Sequence, residues 1–131
     1  MEWIEIKNFN EEDYYNFSDF NRVENNTEFL AEYLKTLGYS IPNMVFVTTR
    51  DNTYIDKISS INRLEDNINN IKFCNLPEWG QKQTWVNGKG LSYKDANRWE
   101  NNLNIAKFYA ENIPKAYVYT GQVSCGEEVI R

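Results

Sequence analysis

A short polar pattern occurs three times in this chain. Residues 17–26 read Phe-Ser-Asp-Phe-Asn-Arg-Val-Glu-Asn-Asn, and residues 93–102 read Tyr-Lys-Asp-Ala-Asn-Arg-Trp-Glu-Asn-Asn. Between them, residues 60–67 read Ser-Ile-Asn-Arg-Leu-Glu-Asp-Asn. The asparagines that begin the three copies, Asn21, Asn62 and Asn97, are 41 and 35 residues apart. Repeats at intervals of this length are typical of a repeated supersecondary unit. The shared motif is Asn-Arg-x-Glu-x-Asn, and its residues are Asn21, Arg22, Glu24, Asn26, Asn62, Arg63, Glu65, Asn67, Asn97, Arg98, Glu100 and Asn102.

Each copy of the motif predicts the start of a helix. Asp19, Ser60 and Asp95 precede the motif and are favourable N-cap residues, because their side chains accept hydrogen bonds from free N–H groups. The second helix is expected to begin earlier, near residues 54–56, and Gly38 is expected to end the first. Apolar residues downstream follow helical spacing, which predicts a three-helix core. The predicted core is Phe20, Val23, Leu30, Leu34, Ile61, Leu64, Ile68, Ile71, Trp99, Leu103 and Ala106.

The polar residues of the motif flank the apolar stripe of each predicted helix. At 100° per residue, the arginine and the last asparagine share one flank, and the glutamate lies on the other. We therefore expect the arginine flank of one helix to face the glutamate flank of a neighbour. Asn26, Asn67 and Asn102 are expected to be half-buried, in a polar seam that sets the register between helices. This arrangement favours a structural role over a catalytic cleft.

Two stretches outside the helices carry strand signals. Residues 44–49 are rich in β-branched side chains and predict a short strand. Residues 116–130 alternate apolar and polar side chains around two glycines, which predicts a β-hairpin or an exposed arm. The fold class is therefore mainly α, or α+β with minor β content. One domain is expected, with a helical core at 1–115 and a C-terminal β arm at 116–131.

Composition argues against several classes of function. The chain has no histidine, which removes the commonest general base, the Ser-His and Cys-His nucleophiles and most zinc sites. Glu127 and Glu128 are adjacent, and adjacent residues of a strand point to opposite faces, so they do not form a catalytic pair. We expect no enzyme, no cofactor and no metal. Cys74 and Cys125 are expected to be reduced thiols, with a disulfide as the less common alternative.

The charge and hydropathy of the chain also limit its partners. The net charge is −5, whereas binding to phosphates needs a basic surface, so no nucleic-acid partner is expected. No apolar run is long enough for a membrane span, and the N-terminus lacks the pattern of a secretion signal, so no membrane partner is expected.

Aromatic and apolar residues outside the predicted helix cores are the candidate interface. Trp79 and Trp85 lie in a Pro/Gly-punctuated loop, and aromatic side chains are enriched at protein interfaces. The candidate interface residues are Trp79, Trp85, Tyr117, Tyr119, Val123 and Val129.

Three stretches of the chain resemble small tail-associated structural proteins of phages and prophages of low-GC Gram-positive bacteria. They are residues 12–30, residues 93–103 and the Gly-rich residues 119–128. The resemblance implies a non-enzymatic virion component, a tail or baseplate adaptor that is assembled in the bacterial host cytoplasm. It implies other virion or tail proteins as partners, with a homo-oligomer or docking on a symmetric ring. It carries over no catalytic residue.

Two other classes of function are also compatible with this sequence. A carbohydrate-binding module could recognise host cell-wall glycan through Trp79, Trp85 and Tyr93, which a glycan array would detect. A small prophage regulator or inhibitor could use its acidic charge to mimic nucleic acid, which a stoichiometric host partner in a pull-down would indicate.

Overall fold

Three α-helices make up the fold, as the sequence predicts. This computed structural model describes residues 2–53 and 56–112. The helices are α1 (Phe17–Thr36), α2 (Ile58–Asn70) and α3 (Tyr93–Glu111). No strand occurs among the described residues. Three non-helical stretches, residues 4–9, 45–50 and 80–85, precede the three helices, and we call them the leading segments.

Capping boxes begin α1 and α3, one turn earlier than the sequence predicts. Asn16 is the N-cap of α1, and the Asp19 carboxylate accepts its backbone N–H at 2.9 Å. In α3 the N-cap is Ser92, whose N–H donates to Asp95 at 3.1 Å. The prediction of Asp19 and Asp95 as N-caps is therefore wrong. Both lie at N3, where a carboxylate can reach back to the N-cap.

The start of α2 also differs from the prediction. Its N-cap is Lys57, which makes no side-chain capping bond, and the helix begins at Ile58 rather than near residues 54–56. Ser60 lies three residues after the N-cap and is not the N-cap itself. Because α2 lacks a side-chain cap, packing against its neighbours must supply the stability that capping supplies in α1 and α3.

Gly38 ends α1 as the sequence predicts. It has a φ of 101°, in the region where a side chain would be strained. The N–H of Gly38 donates to the carbonyl of Lys35, and the N–H of Tyr39 donates to that of Leu34, both at 3.1 Å. These two bonds form a Schellman motif, which satisfies carbonyls that the last turn of a helix leaves free.

Trp99 lies at the centre of the core. Its side chain is fully buried, and its ring centroid lies 5.7 Å from that of Tyr15, 6.1 Å from Phe20 and 6.4 Å from Trp85. All of the predicted core residues are buried except Ile61, which is half-buried. Residues outside the helices complete the core, namely Phe9, Leu37, Leu76 and Trp85.

Residues 44–49 do not form the predicted strand. The Val45 carbonyl accepts a hydrogen bond from the Asn67 side chain, and the Arg50 backbone bonds to Asn21. Side chains of the helices, rather than a neighbouring strand, therefore hydrogen-bond to the backbone at both ends of this segment. The predicted arm at 116–130, and with it the domain boundary after residue 115, lies outside the described residues.

Cys74 does not have the predicted free thiol. It is disulfide-bonded in the structure. The expectation of a reduced thiol, which came from the usual redox state of intracellular proteins, is therefore wrong at Cys74. Cys125 lies outside the described residues.

Candidate functional site: a buried network of arginine, glutamate and asparagine

Three ion pairs run in a closed cycle around the helices. The arginine of α1 pairs with the glutamate of α3, and the arginine of α3 pairs with the glutamate of α2. The arginine of α2 pairs with the glutamate of α1, which closes the cycle. Because arginine and glutamate occupy the same place in each motif, the second turns of the three helices meet. The pairs are Arg22–Glu100 (Nε to Oε2, 2.9 Å), Arg63–Glu24 (Nη2 to Oε2, 2.5 Å) and Arg98–Glu65 (Nη2 to Oε2, 2.6 Å).

The carboxylates of this cycle are buried and the guanidinium groups lie nearer the surface. The glutamate side chains are at most 2% exposed, whereas Arg22, Arg63 and Arg98 are 12%, 27% and 14% exposed. A buried carboxylate is unfavourable unless it is paired and hydrogen-bonded. The arginines are thus required by the fold.

Two of the glutamates accept a further hydrogen bond from the last residue of a leading segment. Arg50 Nη2 donates to Glu24 Oε2 at 2.7 Å, and the indole N–H of Trp85 donates to Glu65 Oε2 at 2.7 Å. Arg50 and Trp85 are themselves buried, although neither belongs to the motif. These two leading segments therefore each place a side chain on the glutamate of the helix that holds the end of the segment.

Glu100 differs from the other two carboxylates, because no side chain of a leading segment donates to it among the described residues. The leading segment whose last residue is held by α3 is residues 4–9, and that last residue, Phe9, has no side-chain donor. Glu100 therefore depends on Arg22 and on the backbone N–H of Lys7. Burial raises the pKa of Glu100 above its ordinary value of 4.5, and the hydrogen bond and charge of Arg22 oppose this shift without cancelling it.

The raised pKa of Glu100 predicts a pH-dependent contribution to stability. The folded state binds its proton at higher pH than the unfolded state, so this group favours folding increasingly as pH falls towards its ordinary pKa of 4.5. The unfolding free energy of the wild type relative to Glu100→Gln should therefore be larger at about pH 5 than at about pH 7. Urea titrations at both pH values measure this difference. An equal difference at both values would contradict the prediction.

The last asparagine of each motif holds the first residue of the leading segment before its own helix. Asn26 accepts from the Ile4 N–H at 2.9 Å and donates to the Ile4 carbonyl at 2.7 Å. Asn102 does the same with Gly80, at 2.8 and 2.9 Å. Asn67 donates to the Val45 carbonyl at 2.9 Å. In all three cases the asparagine and the residue that it holds are 22 positions apart.

The first asparagine of each motif holds the last residue of a leading segment that precedes a different helix. Each accepts from the backbone N–H of that residue and donates to its carbonyl. Every leading segment is thus bound to two helices, and it bridges the same pair of helices that one Arg–Glu pair joins. The partners are Asn97 with Phe9 (2.7 and 2.8 Å), Asn21 with Arg50 (both 3.0 Å) and Asn62 with Trp85 (2.7 and 3.1 Å).

The expected asparagine seam between helices is therefore wrong in its partners. Asn26, Asn67 and Asn102 are 0%, 5% and 2% exposed, so they are buried rather than half-buried. They bond to the backbone of leading segments and not to a neighbouring helix. A helical wheel places only helix residues, so it could not show these partners. The constant separation of 22 residues is visible only in the contacts, because residues 4–9, 45–50 and 80–85 share no sequence pattern that could have revealed these partners.

Gly80 is required where its leading segment approaches α3. A Cβ atom added at Gly80 would lie 2.5 Å from Cγ and 2.9 Å from Cδ of Arg98. Both distances are far shorter than an ordinary van der Waals contact. A side chain at this position would therefore displace Arg98 from Glu65.

Two of the candidate interface residues, Trp79 and Trp85, lie in the described part of the chain. Trp85 is buried and hydrogen-bonded to Glu65, so its assignment to an interface or a glycan-stacking platform is wrong. Trp79 and Tyr93 are half-buried, and Trp79 packs against the core. The other candidates lie outside the described residues, namely Tyr117, Tyr119, Val123 and Val129.

Removing one asparagine should release one end of a leading segment. In Asn97→Ala, the Phe9 N–H and carbonyl lose their partner, which should lower the unfolding free energy by about 1 to 3 kcal/mol. The Phe9 amide should also exchange with deuterium faster, as measured by NMR. Asn101→Ala is the matched control, because Asn101 is exposed on the same helix. Equal exchange at Phe9 in both variants would contradict this role.

The described part of the chain offers few other features that would indicate a function. Within residues 2–53 and 56–112, no group of acidic or cysteine side chains is arranged to hold a metal ion. The helices described in this range are too short or too polar to cross a membrane. Comparison with protein-family models, curated proteins and solved structures finds no match to this chain.

Proposed function

We propose that each motif and its leading segment form one structural unit, and that three such units build the core with approximate threefold symmetry. Three observations support this. The motif and the segment before it keep a separation of 22 residues in every unit. The Arg–Glu pairs join the helices in a closed cycle. Each leading segment bridges the two helices that one of these pairs joins.

We propose further that the chain is a non-enzymatic structural protein of a phage or prophage particle, a tail or baseplate adaptor that acts by protein–protein assembly. The observation that carries this proposal is that every residue of the three motifs has a partner inside the fold. Most of the motif's polar atoms hold helices and segments together, whereas Glu24 Oε1 and Arg63 Nε are buried without a hydrogen-bond partner among the described residues. The resemblance of residues 12–30 and 93–103 to tail-associated proteins supports the particle class, with the virion as the location.

The direct test is to delete the gene in a strain that produces the particles. We expect mass spectrometry to find the chain in purified wild-type particles, and electron microscopy to show incomplete tails in the deletion strain. Complementation with the wild-type gene should restore complete tails. Particles that lack the chain, together with normal tails in the deletion strain, would overturn the proposal.

A second complementation tests the predicted C-terminal arm. A chain that ends at residue 115 should keep its helical circular dichroism but should not be incorporated into particles. Because this truncation also removes Cys125, the full-length Cys125→Ser variant is the control and should still be incorporated. Normal incorporation of the truncated chain would remove the arm from the proposal while leaving the role of the helical core in place.

A further inference from the structure

Residues 86–89 form an exposed turn directly after the leading segment at 80–85. The Lys89 N–H donates to the Val86 carbonyl at 3.2 Å, which closes the turn. Gly88 is the third residue of the turn and has a φ of 88°, which is typical of a type II turn. Each of the four residues is exposed. The peptide bond between Asn87 and Gly88 therefore lies at the surface, in contact with water.

Asn87 is the one asparagine of the chain that precedes a glycine. Among the described residues, neither its side chain nor the Gly88 N–H takes part in a hydrogen bond. A Cβ atom added at Gly88 would have no atom within 4 Å apart from those of its chain neighbours. Because glycine has no side chain, nothing at position 88 blocks the approach of the Asn87 side chain to the Gly88 nitrogen.

The other asparagines of the chain lack this combination. Asn52 is also exposed in a turn, but Thr53 follows it. The Thr53 N–H donates to Asp51 Oδ1 at 2.9 Å, and the branched Thr53 side chain crowds its own backbone nitrogen. The motif asparagines, such as Asn26, are instead held by the backbone of the leading segments. Exposure and a following glycine thus occur together at Asn87 alone.

We propose that Asn87 is a site of spontaneous deamidation. The backbone nitrogen of Gly88 loses its proton and bonds to Cγ of Asn87, while the bond between Cγ and Nδ2 breaks. Nδ2 takes up the proton and leaves as ammonia, so that a succinimide ring forms between the two residues. Water then opens the ring at either carbonyl and leaves aspartate or isoaspartate at position 87. The reacting atoms belong to neighbouring residues, so the first step is intramolecular and needs no enzyme.

Both products change the surface next to Trp85. Each carries a new carboxylate, so the net charge becomes one unit more negative than −5. Isoaspartate also adds a methylene group to the backbone of the turn. The turn holds Lys89 Nζ 4.8 Å from the centroid of the Trp85 ring, and Asn62 accepts the Trp85 backbone N–H. Deamidation therefore alters the chain close to the residue that donates a hydrogen bond to Glu65.

Peptide mapping by mass spectrometry, after incubation of the folded full-length chain in mildly alkaline buffer, tests this site. The peptide that contains Asn87 should gain about 1 Da as the amide becomes a carboxylate, and isoaspartate methyltransferase should methylate it. The peptide that contains Asn52 is the control in the same digest and should keep its mass. In the variant Asn87→Gln the gain should be absent, because the longer side chain closes a less favoured ring.

A synthetic peptide of residues 82–92 sets the time scale of the experiment. Because the turn is exposed and the Gly88 N–H is not hydrogen-bonded, the folded chain should deamidate at a rate within about tenfold of that of the peptide. A slower rate, an unchanged mass at Asn87, or an equal gain of mass at Asn52 would overturn the site.

Discussion

Replacing Glu24 with glutamine should lower the unfolding free energy by about 3 to 5 kcal/mol. The Glu24 carboxylate is 1% exposed and accepts from Arg50 at 2.7 Å and from Arg63 at 2.5 Å. Glutamine has nearly the same shape but no charge, so both guanidinium groups lose a charged partner. Arg50 keeps its ion pair with Asp56, whereas among the described residues Arg63 keeps a weaker hydrogen bond to Ser60. Urea unfolding, followed by tryptophan fluorescence, measures the change.

The matched control for Glu24→Gln is Asp66→Asn, which makes the same chemical change on the surface. Asp66 pairs with Lys82, and their side chains are 58% and 43% exposed. An exposed pair of this kind contributes at most about 1 kcal/mol. Equal effects of the two substitutions would mean that Arg50 and Arg63 do not depend on the buried carboxylate.

Replacing Trp99 with alanine should lower the unfolding free energy by about 3 to 5 kcal/mol through the cavity that it leaves. Trp99 is fully buried and contacts the rings of Tyr15, Phe20 and Trp85. Since Tyr15 and Trp85 lie outside the helices, the loss should also loosen the segments that carry them. Urea unfolding gives the free energy, and near-ultraviolet circular dichroism reports the packing of the remaining aromatic rings.

The control for Trp99→Ala is Phe108→Ala on the same helix. Phe108 is 59% exposed, so its removal should change stability by no more than about 0.5 kcal/mol. A loss below about 1 kcal/mol in Trp99→Ala would contradict a central position for this ring.

Local signals in the sequence predicted the helices and most of the core. Apolar residues at helical spacing report a buried stripe whatever that stripe packs against, so Val23, Leu64 and Leu103 could be assigned from the sequence alone. Gly38 could be predicted as the end of α1 because its conformation is set by the helix terminus itself.

The leading segments could not be predicted because distant partners determine their conformation. Residues 44–49 have β-branched side chains, but a strand needs a neighbouring strand, and here Asn21 and Asn67 satisfy the backbone instead. The sequence predicts Trp85 to be an exposed loop residue, because its indole partner, Glu65, lies 20 positions away on another element. The N-caps were misplaced by three residues because a polar residue suits both the N-cap and N3.

The closed cycle of Arg–Glu pairs is tested most directly by double-mutant cycles on the unfolding free energy. For Arg98→Met with Glu65→Gln, which breaks hydrogen bonds of 2.7 and 2.6 Å, we expect a coupling of about 1 to 3 kcal/mol. The pairs Arg22 with Glu100 and Arg63 with Glu24 should couple similarly. Arg98→Met with Glu24→Gln, which share no contact, should be additive within about 0.5 kcal/mol. Additivity in the three contacting pairs would contradict the cycle.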